Sequence, residues 1–324
     1  MTVRMRIALK IGYDGSAFCG HQRQPDARRV EGECIAAAKS ARLFSDPRDA
    51  FFRSASRTDR EVSAVGNVIA FDTDFRPDAV VGALNDRAHD VWAWAYAVVP
   101  PRVHPRHAVE RLYRDHLFDD LPIEKLREAG AEFVGAHDLR SFTTDPPGAP
   151  FQLDSIEARR DEDAIAINLR ARSFRRGMVR RIVAAMVAYA EQETSLEMIL
   201  GALHGRYRDF GKMPPEPLFL MDVRYNFPFQ TIPKPKVLDE WRSLARGSAV
   251  RLRFAQEALA LSLSERPQTH SLPGELPETF NIVVTIRWDS GAGAAIWSCV
   301  VGTVGPRTSP LLRRLGPSVG RAAK

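Results

Sequence analysis

Along residues 6–13 the apolar side chains Ile7, Leu9, Ile11 and Tyr13 alternate with other types, which is the period of a half-buried strand. Residues 30–43 repeat apolar positions at helical spacing through Val30, Cys34, Ala38 and Ala41. Residues 51–57 and 67–73 read as strands joined by a loop, residues 77–84 as a helix with Pro77 in its first turn, and residues 91–98 as a strand. The order strand, helix, strand, strand, helix, strand then returns. A strand at 109–117 leads to a helix at 122–133 and a hairpin of 152–159 with 164–171 about Asp161-Glu162-Asp163. A helix at 176–191 presents Met178, Ile182, Val183, Met186 and Val187 on one face. A second helix starts at Ser195, and a strand runs over 218–225.

Two split-βαβ units in tandem are implied, each an antiparallel sheet with helices on one face. Paired edge to edge, they predict an α+β fold of one mainly antiparallel sheet with a central cleft and a C-terminal extension. The expected divisions are residues 1–105, 106–229 and 230–324. In the last, 232–236 is proline-rich, 237–263 helical, 266–278 linker-like and 280–288 one more strand; the glycine-, proline- and arginine-rich end is expected to be poorly ordered.

A chain of 324 residues with 44% hydrophobic and 27% charged residues has ample material for a core and suits two domains, or one large domain with an appendage. Its longest apolar stretch, 91–101, is too short to cross a bilayer, and residues 1–10 lack the core of a signal peptide, so a cytoplasmic protein with no membrane partner is expected. Three cysteines (Cys19, Cys34, Cys299) stand far apart without a C-x-x-C pair, which argues against a disulfide framework or a zinc site. The net charge of +6 comes from arginine concentrated around 102–114 and 170–181, a residue whose planar fork suits phosphate. A polyanionic partner is favoured.

The segment Ser54-Ala55-Ser56-Arg57-Thr58-Asp59-Arg60-Glu61-Val62-Ser63-Ala64 falls in the loop between two expected strands, where a sheet presents side chains to a cleft. Arg57 and Arg60 flank Asp59 and favour its carboxylate form, which covalent catalysis at a sugar carbon requires. An isolated Arg-Thr-Asp is more often a turn cap, and its company decides the matter. Tyr13-Asp14-Gly15-Ser16-Ala17-Phe18-Cys19-Gly20-His21-Gln22-Arg23-Gln24 and Val30-Glu31-Gly32-Glu33 precede it. Gly66-Asn67-Val68-Ile69-Ala70-Phe71-Asp72, Leu84-Asn85, His104-Pro105-Arg106 and Arg111-Leu112-Tyr113-Arg114 follow. Phe133 to Phe142, Phe174-Arg175-Arg176-Gly177-Met178-Val179-Arg180-Arg181-Ile182 and Pro214 to Leu220 complete the series. In order and spacing this resembles the TruA family of tRNA pseudouridine synthases over roughly the first 228 residues.

The resemblance implies two ferredoxin-like halves forming one sheet, a homodimer, tRNA as partner, no cofactor and no metal. It implies uridine-to-pseudouridine isomerisation in the anticodon stem-loop, at positions 38 to 40. Asp59 matches the family's catalytic aspartate, Tyr113 the tyrosine that stacks on the flipped uracil, and Arg180 the basic residue that pairs with the aspartate. Gln22, Arg57, Arg60, Arg106 and Arg114 are the expected substrate-binding residues. Whether Asp59 bonds to the sugar or to the base is left open by the residues alone.

Departures from the family pattern accompany the matches. Ser56 and Arg60-Glu61 stand where many members have glycine before the arginine and Ala-Gly after the aspartate. His21 replaces a tryptophan and Ser63 a histidine of bacterial members; Arg60, Ser63 and His104-Pro105-Arg106 look archaeal. Glu61 occupies a place where glycine adopts positive φ, at a cost of about 1 kcal/mol for another residue. Asp115 replaces a usual aromatic two residues beyond Tyr113. A non-catalytic RNA-binding protein on the same scaffold is the alternative reading. A magnesium-dependent nuclease using Asp14, Asp59, Asp72 and Asp74 is discouraged, because these form no recognisable metal-ligand array.

Overall fold

A computed structural model describes residues 4–24, 27–146, 148–232, 235–264, 282–289 and 294–301. Contacts divide the chain into Met1–Ala255 and Gln256–Lys324. The first unit is a mixed α/β structure on a mainly antiparallel sheet of nine strands. They are β1 (Met5–Tyr13), β2 (Arg53–Ser54), β3 (Ser63–Thr73), β4 (Val91–Val99), β5 (Glu110–Leu117), β8 (Ser155–Asp161), β9 (Ala164–Ala171), β10 (Leu218–Arg224) and β11 (Gln230–Thr231). Their order is β11-β4-β1-β3-β10-β5-β9-β8, with β2 added on β3. A separate two-stranded ribbon, β6 (Gly135–His137) with β7 (Phe151–Leu153), was not expected from the pattern.

The sheet is continuous because β3 and β10 pair in parallel at its middle, through Phe219 opposite Ser63 and Leu220 opposite Ala64. That junction needs Gly66: a Cβ there would stand 2.6 Å from Met221 O, inside any allowed contact. Helices α1 (Val30–Ser40) and α2 (Pro77–Asn85) pack on β4 and on each other. Helix α3 (Ile123–Glu132) packs on β8 and on α4 (Met178–Ala190), and α4 reaches β5. Ser195 caps α5 (Leu196–Leu203) by accepting from Met198 N, which satisfies an amide left free by the first turn.

Two expectations change. Strand β1 is not half-buried but buried on both faces. Its polar face is covered because Arg6 pairs with Asp72 at 2.7 Å and Lys10 with Asp222, so the charges are matched before they leave water. The strand expected over 51–57 contracts to Arg53–Ser54, since Ala55 O accepts from Arg111 Nη2 (2.9 Å) and Ser56 O from Asn67 Nδ2 (3.0 Å) instead of from a neighbouring strand.

The first 26 residues after position 229 pack within the first unit. Strand β11 pairs with Tyr96 and Ala95 of β4, Val237 is buried, and Trp241 sets its ring edge-on to Trp92 at 6.3 Å. Helix α6 (Pro235–Ser264) begins in this unit. In the second unit β12 (Ile282–Asp289), expected as a strand, pairs antiparallel with β13 (Ala294–Val301), which was not. The linker expected at 266–278 and the chain beyond 301 lie outside the described residues.

Candidate active site

The segment between β2 and β3 alternates in depth. Ala55, Ser56 and Thr58 are buried, while Arg57 and Arg60 are exposed and Asp59 is half-buried. The buried members are bolted down from three sides. Tyr13 OH bonds Thr58 Oγ1 at 2.9 Å, and Asn67 Nδ2 donates to Tyr13 OH as well as to Ser56 O. The buried guanidinium of Arg111 donates to Ser56 Oγ (2.8 Å), Ala55 O, Arg106 O and Arg172 O. Below the loop, a Cβ on Gly15 would stand 2.4 Å from Val62 C, so only glycine lets β1's end lie against it. A loop held this way presents its outward side chains at fixed positions.

Asp59 faces a cleft of about 810 Å3, lined among others by Gln22, Arg57, Arg60, Arg106, Tyr113 and Arg180. Arg180 Nη1 donates to Asp59 Oδ2 at 3.3 Å across 121 positions of sequence. The Arg180 side chain is only 10% exposed against 36% for Asp59, so the pair sits at the cleft wall with the carboxylate toward the opening. Arg180 lies in the first turn of α4, where a cation opposes the helix dipole. It is held there by Nε donating to Met213 O (2.6 Å), while burial pulls its guanidinium below the usual value and Asp59 opposes that. Tyr113 is 7% exposed and meets Phe174 edge-to-face at 5.1 Å. Burial pushes its phenol up to about 12, so it is protonated at neutral pH.

Of the eight residues expected at the site, seven line this cleft. Arg114 does not. Successive strand residues point to opposite faces, so Arg111, Tyr113 and Asp115 share one side of β5 and Arg114 takes the other. There it donates to Asn168 Oδ1 (2.8 Å) and approaches Asp161. The carboxylates named for a nuclease are dispersed: Asp14 caps a single turn through Ser16, and Asp72 is bound to Arg6. Residues not anticipated include Arg111 and Asn67, which shape the loop, and Phe174, His104, Arg175 and Arg176, which line the cleft. Each of them stands in a motif that carries the family resemblance, and strand alternation further groups Arg111 with Tyr113, but neither signal gave these residues a role.

A family model described as tRNA pseudouridine synthase matches residues 129–226. tRNA pseudouridine synthase A of Pyrococcus furiosus is 40% identical over 233 residues, covering 70% of this chain and 86% of that one. The Pyrococcus abyssi enzyme of the same name is 40% identical (68% and 85%), and that of Methanococcoides burtonii 35% identical (79% and 96%). The chain belongs to the tRNA pseudouridine synthase A, or TruA, family. Among solved structures, a chain of a Cbf5-Nop10-Gar1 complex is matched at 14% identity and a TM-score of 0.29, covering 55% of this chain and 44% of that one.

As a TruA-family member the chain is an isomerase acting on tRNA. Its departures from the family pattern have physical consequences. His21 is 1% exposed and neither ring nitrogen is hydrogen-bonded. Burial, reinforced by Arg57, pulls its imidazole down to about 4, so at neutral pH it is an uncharged ring. Glu61 has φ 67°, the left-handed backbone expected where the family pattern has glycine. Asp115 is 1% exposed, and burial, opposed by Arg180, pushes its carboxyl up to about 7.

Proposed function

We propose that this TruA-family enzyme converts uridine to pseudouridine at positions 38 to 40 of the tRNA anticodon stem-loop, with Asp59 as nucleophile toward a nucleotide turned out of the stem. The observation that carries the reading is the Asp59–Arg180 contact of 3.3 Å beside Tyr113 in one cleft. A stacked uracil is out of reach of any side chain, so it must leave the helix, and an aromatic ring such as Tyr113 offsets part of the lost stacking. The bond from ribose C1′ to N1 then breaks with its electron pair going to the uracil, while Asp59 traps or stabilises the fragment it faces. After rotation of the base, C5 bonds to C1′, the C5 proton leaves and N1 regains a proton, so no atom is lost and no redox partner is needed. Closure against water protects the intermediate from hydrolysis.

The exposed arginines Arg57, Arg60 and Arg106, with Gln22, are read as the contacts to tRNA phosphates and sugar. In the same reading the sheet comprises two ferredoxin-like halves, residues 1–105 and 106–229, with 230–324 as an extension, and the enzyme works as a cytoplasmic homodimer. Support comes from the repeated element order and from the resemblance of the motifs. The test is to map pseudouridine in unmodified tRNA transcripts after incubation with the protein. Wild type should form it in the anticodon stem-loop, and Asp59→Ala should lower kcat by more than about a thousandfold with tRNA binding retained. Turnover by Asp59→Ala, or modification elsewhere in the tRNA only, would refute the reading.

A further inference from the structure

Between α5 and β10 the chain makes a loop, residues 204–217, that is held at several points. Arg206 N donates to Gly201 O (2.9 Å) and Arg208 N to Ser141 Oγ (3.1 Å). Asp209 Oδ1 accepts from Arg181 Nη1 at 2.9 Å and from Gly211 N at 3.0 Å, and Phe210 stacks on Phe142 with ring centroids 5.6 Å apart. The loop then closes onto the site: Met213 N donates to Arg180 O, and Met213 O accepts from Arg180 Nε. Lys212 lies against Gly177 of the cleft wall, where a Cβ would stand 3.7 Å from its Cδ. Out of this loop Tyr207 projects with 70% of its surface exposed, and neither its ring nor its hydroxyl has a ring or hydrogen-bond partner among the described residues. Arg206, Arg208 and Lys212 are also exposed and make no ion pair among the described residues, while the one acid between positions 205 and 213, Asp209, is committed to Arg181. A single exposed aromatic is ordinary. One held out by a pinned loop, between unpaired cations and beside the cleft of an enzyme acting on tRNA, has the make-up of a base-stacking surface.

We propose that Tyr207 stacks on an unpaired nucleobase of the tRNA anticodon loop, with Arg206, Arg208 and Lys212 at the neighbouring phosphates. This rests on the anticodon stem-loop reading above, since a nucleotide at positions 38 to 40 held at Asp59 adjoins the unpaired bases of that loop. Every base has a π-face, so the contact fixes where the RNA lies without selecting its sequence, and the cations place its backbone. Unpaired bases are free to splay onto a side chain, which bases within a stem are not. Because the protein loop is already held by Ser141, Arg181 and Arg180, binding needs little further ordering on the protein side.

The experiment measures equilibrium binding of unmodified tRNA transcripts in the Asp59→Ala background, so that no turnover intervenes. Adding Tyr207→Leu, which keeps an apolar side chain but no ring, should weaken binding about five- to thirtyfold. Tyr207→Phe and Tyr207→Trp keep a ring and should bind within about twofold of the parent. Thermal unfolding should give the same midpoint for all of these variants, because the side chain is largely exposed. A second measurement places 2-aminopurine at each unpaired position of the anticodon loop in turn. One position should change its fluorescence on binding the parent and lose that change with Tyr207→Leu. Equal affinity of Tyr207→Leu and its parent, affinity lost equally with Phe or Trp at this position, or a change in oligomeric state in place of a change in tRNA affinity, overturns the proposal. So does the absence of any loop position whose signal depends on Tyr207. Each of these leaves the pseudouridine reading standing, whereas pseudouridine mapped only outside the anticodon stem-loop overturns that reading instead.

Discussion

The two sides of the sheet differ in how far their charged side chains are matched within the chain. On the face away from the cleft, Arg6 has Asp72, Lys10 has Asp222, Arg114 has Asn168 and Asp161, and Glu110 receives both Arg170 and Arg224. On the cleft side Arg180 has Asp59 and Arg60 has Glu61, but Arg57 and Arg106 make no ion pair among the described residues, and neither carboxyl oxygen of Asp115 is hydrogen-bonded. Pairing within the chain is what allows charges to be buried as structure. Cations left unpaired around a concave surface keep their charge for a ligand from outside, and for a polyanion that means release of counterions on binding. The difference teaches that the count of arginines, which first suggested an anionic partner, matters less than how many the protein has already matched.

The sharpest way to break this comparison is at Arg111, the one cleft-side arginine that is fully engaged by the protein. Arg111→Met leaves Ser56 Oγ and Ala55 O without their donor in buried surroundings, and Arg106 O and Arg172 O without theirs where they are part-buried. At about 1 kcal/mol for each orphaned acceptor, a loss of roughly 3 kcal/mol or more follows. For a domain of this size that is about 6–12 °C in Tm, read by thermal unfolding. A midpoint within about 2 °C of wild type would mean that water takes over the acceptors and that the loop is not held as described.

A smaller effect separates the faces directly. Arg57→Ala and Arg106→Ala should each weaken tRNA binding about three- to tenfold and reduce the salt slope of log K by about 1. Arg114→Gln, on the opposite face, should leave both quantities unchanged. Equilibrium binding at several salt concentrations measures all three, and an Arg114→Gln variant as weak as the others would erase the distinction.

Much of the architecture was legible because its signals are local. The alternation of Ile7, Leu9, Ile11 and Tyr13, the helical repeat from Val30 to Ala41 and the Asp161-Glu162-Asp163 turn each fall within a few turns of chain. What escaped depends on partners far away in sequence. The polar face of β1 is covered by Asp72 and Asp222, 66 and 212 positions from Arg6 and Lys10, so a local pattern could only suggest a half-buried strand. The loop's anchors, Arg111 and Asn67, meet it 55 and 11 positions away. Asp59, Tyr113 and Arg180 could be named in advance only through their resemblance to a family, since nothing local joins positions 59 and 180. Arg114 shows the opposite error: closeness to Tyr113 in sequence suggested the cleft, and strand alternation sends it to the other side.

The finest test concerns the strained residue beside the nucleophile. Glu61 holds φ 67°, where a side chain costs about 1 kcal/mol and glycine costs nothing. Its carboxylate accepts from Arg60 Nε at 3.1 Å, but Arg60 is 71% exposed, and such a surface pair is worth little. Against the relief of strain stands the larger chain entropy that glycine loses on folding, so Glu61→Gly should stabilise by about 0.5 kcal/mol. For a domain of this size the gain is a rise of about 1–2 °C in Tm. The same change removes a carboxylate next to Arg60 and so leaves one more cation free at the rim, which predicts slightly tighter tRNA binding at low salt. A lower midpoint together with weaker binding would show that Glu61 supports the loop through its side chain, and that the cleft side is more completely matched than its free arginines indicate.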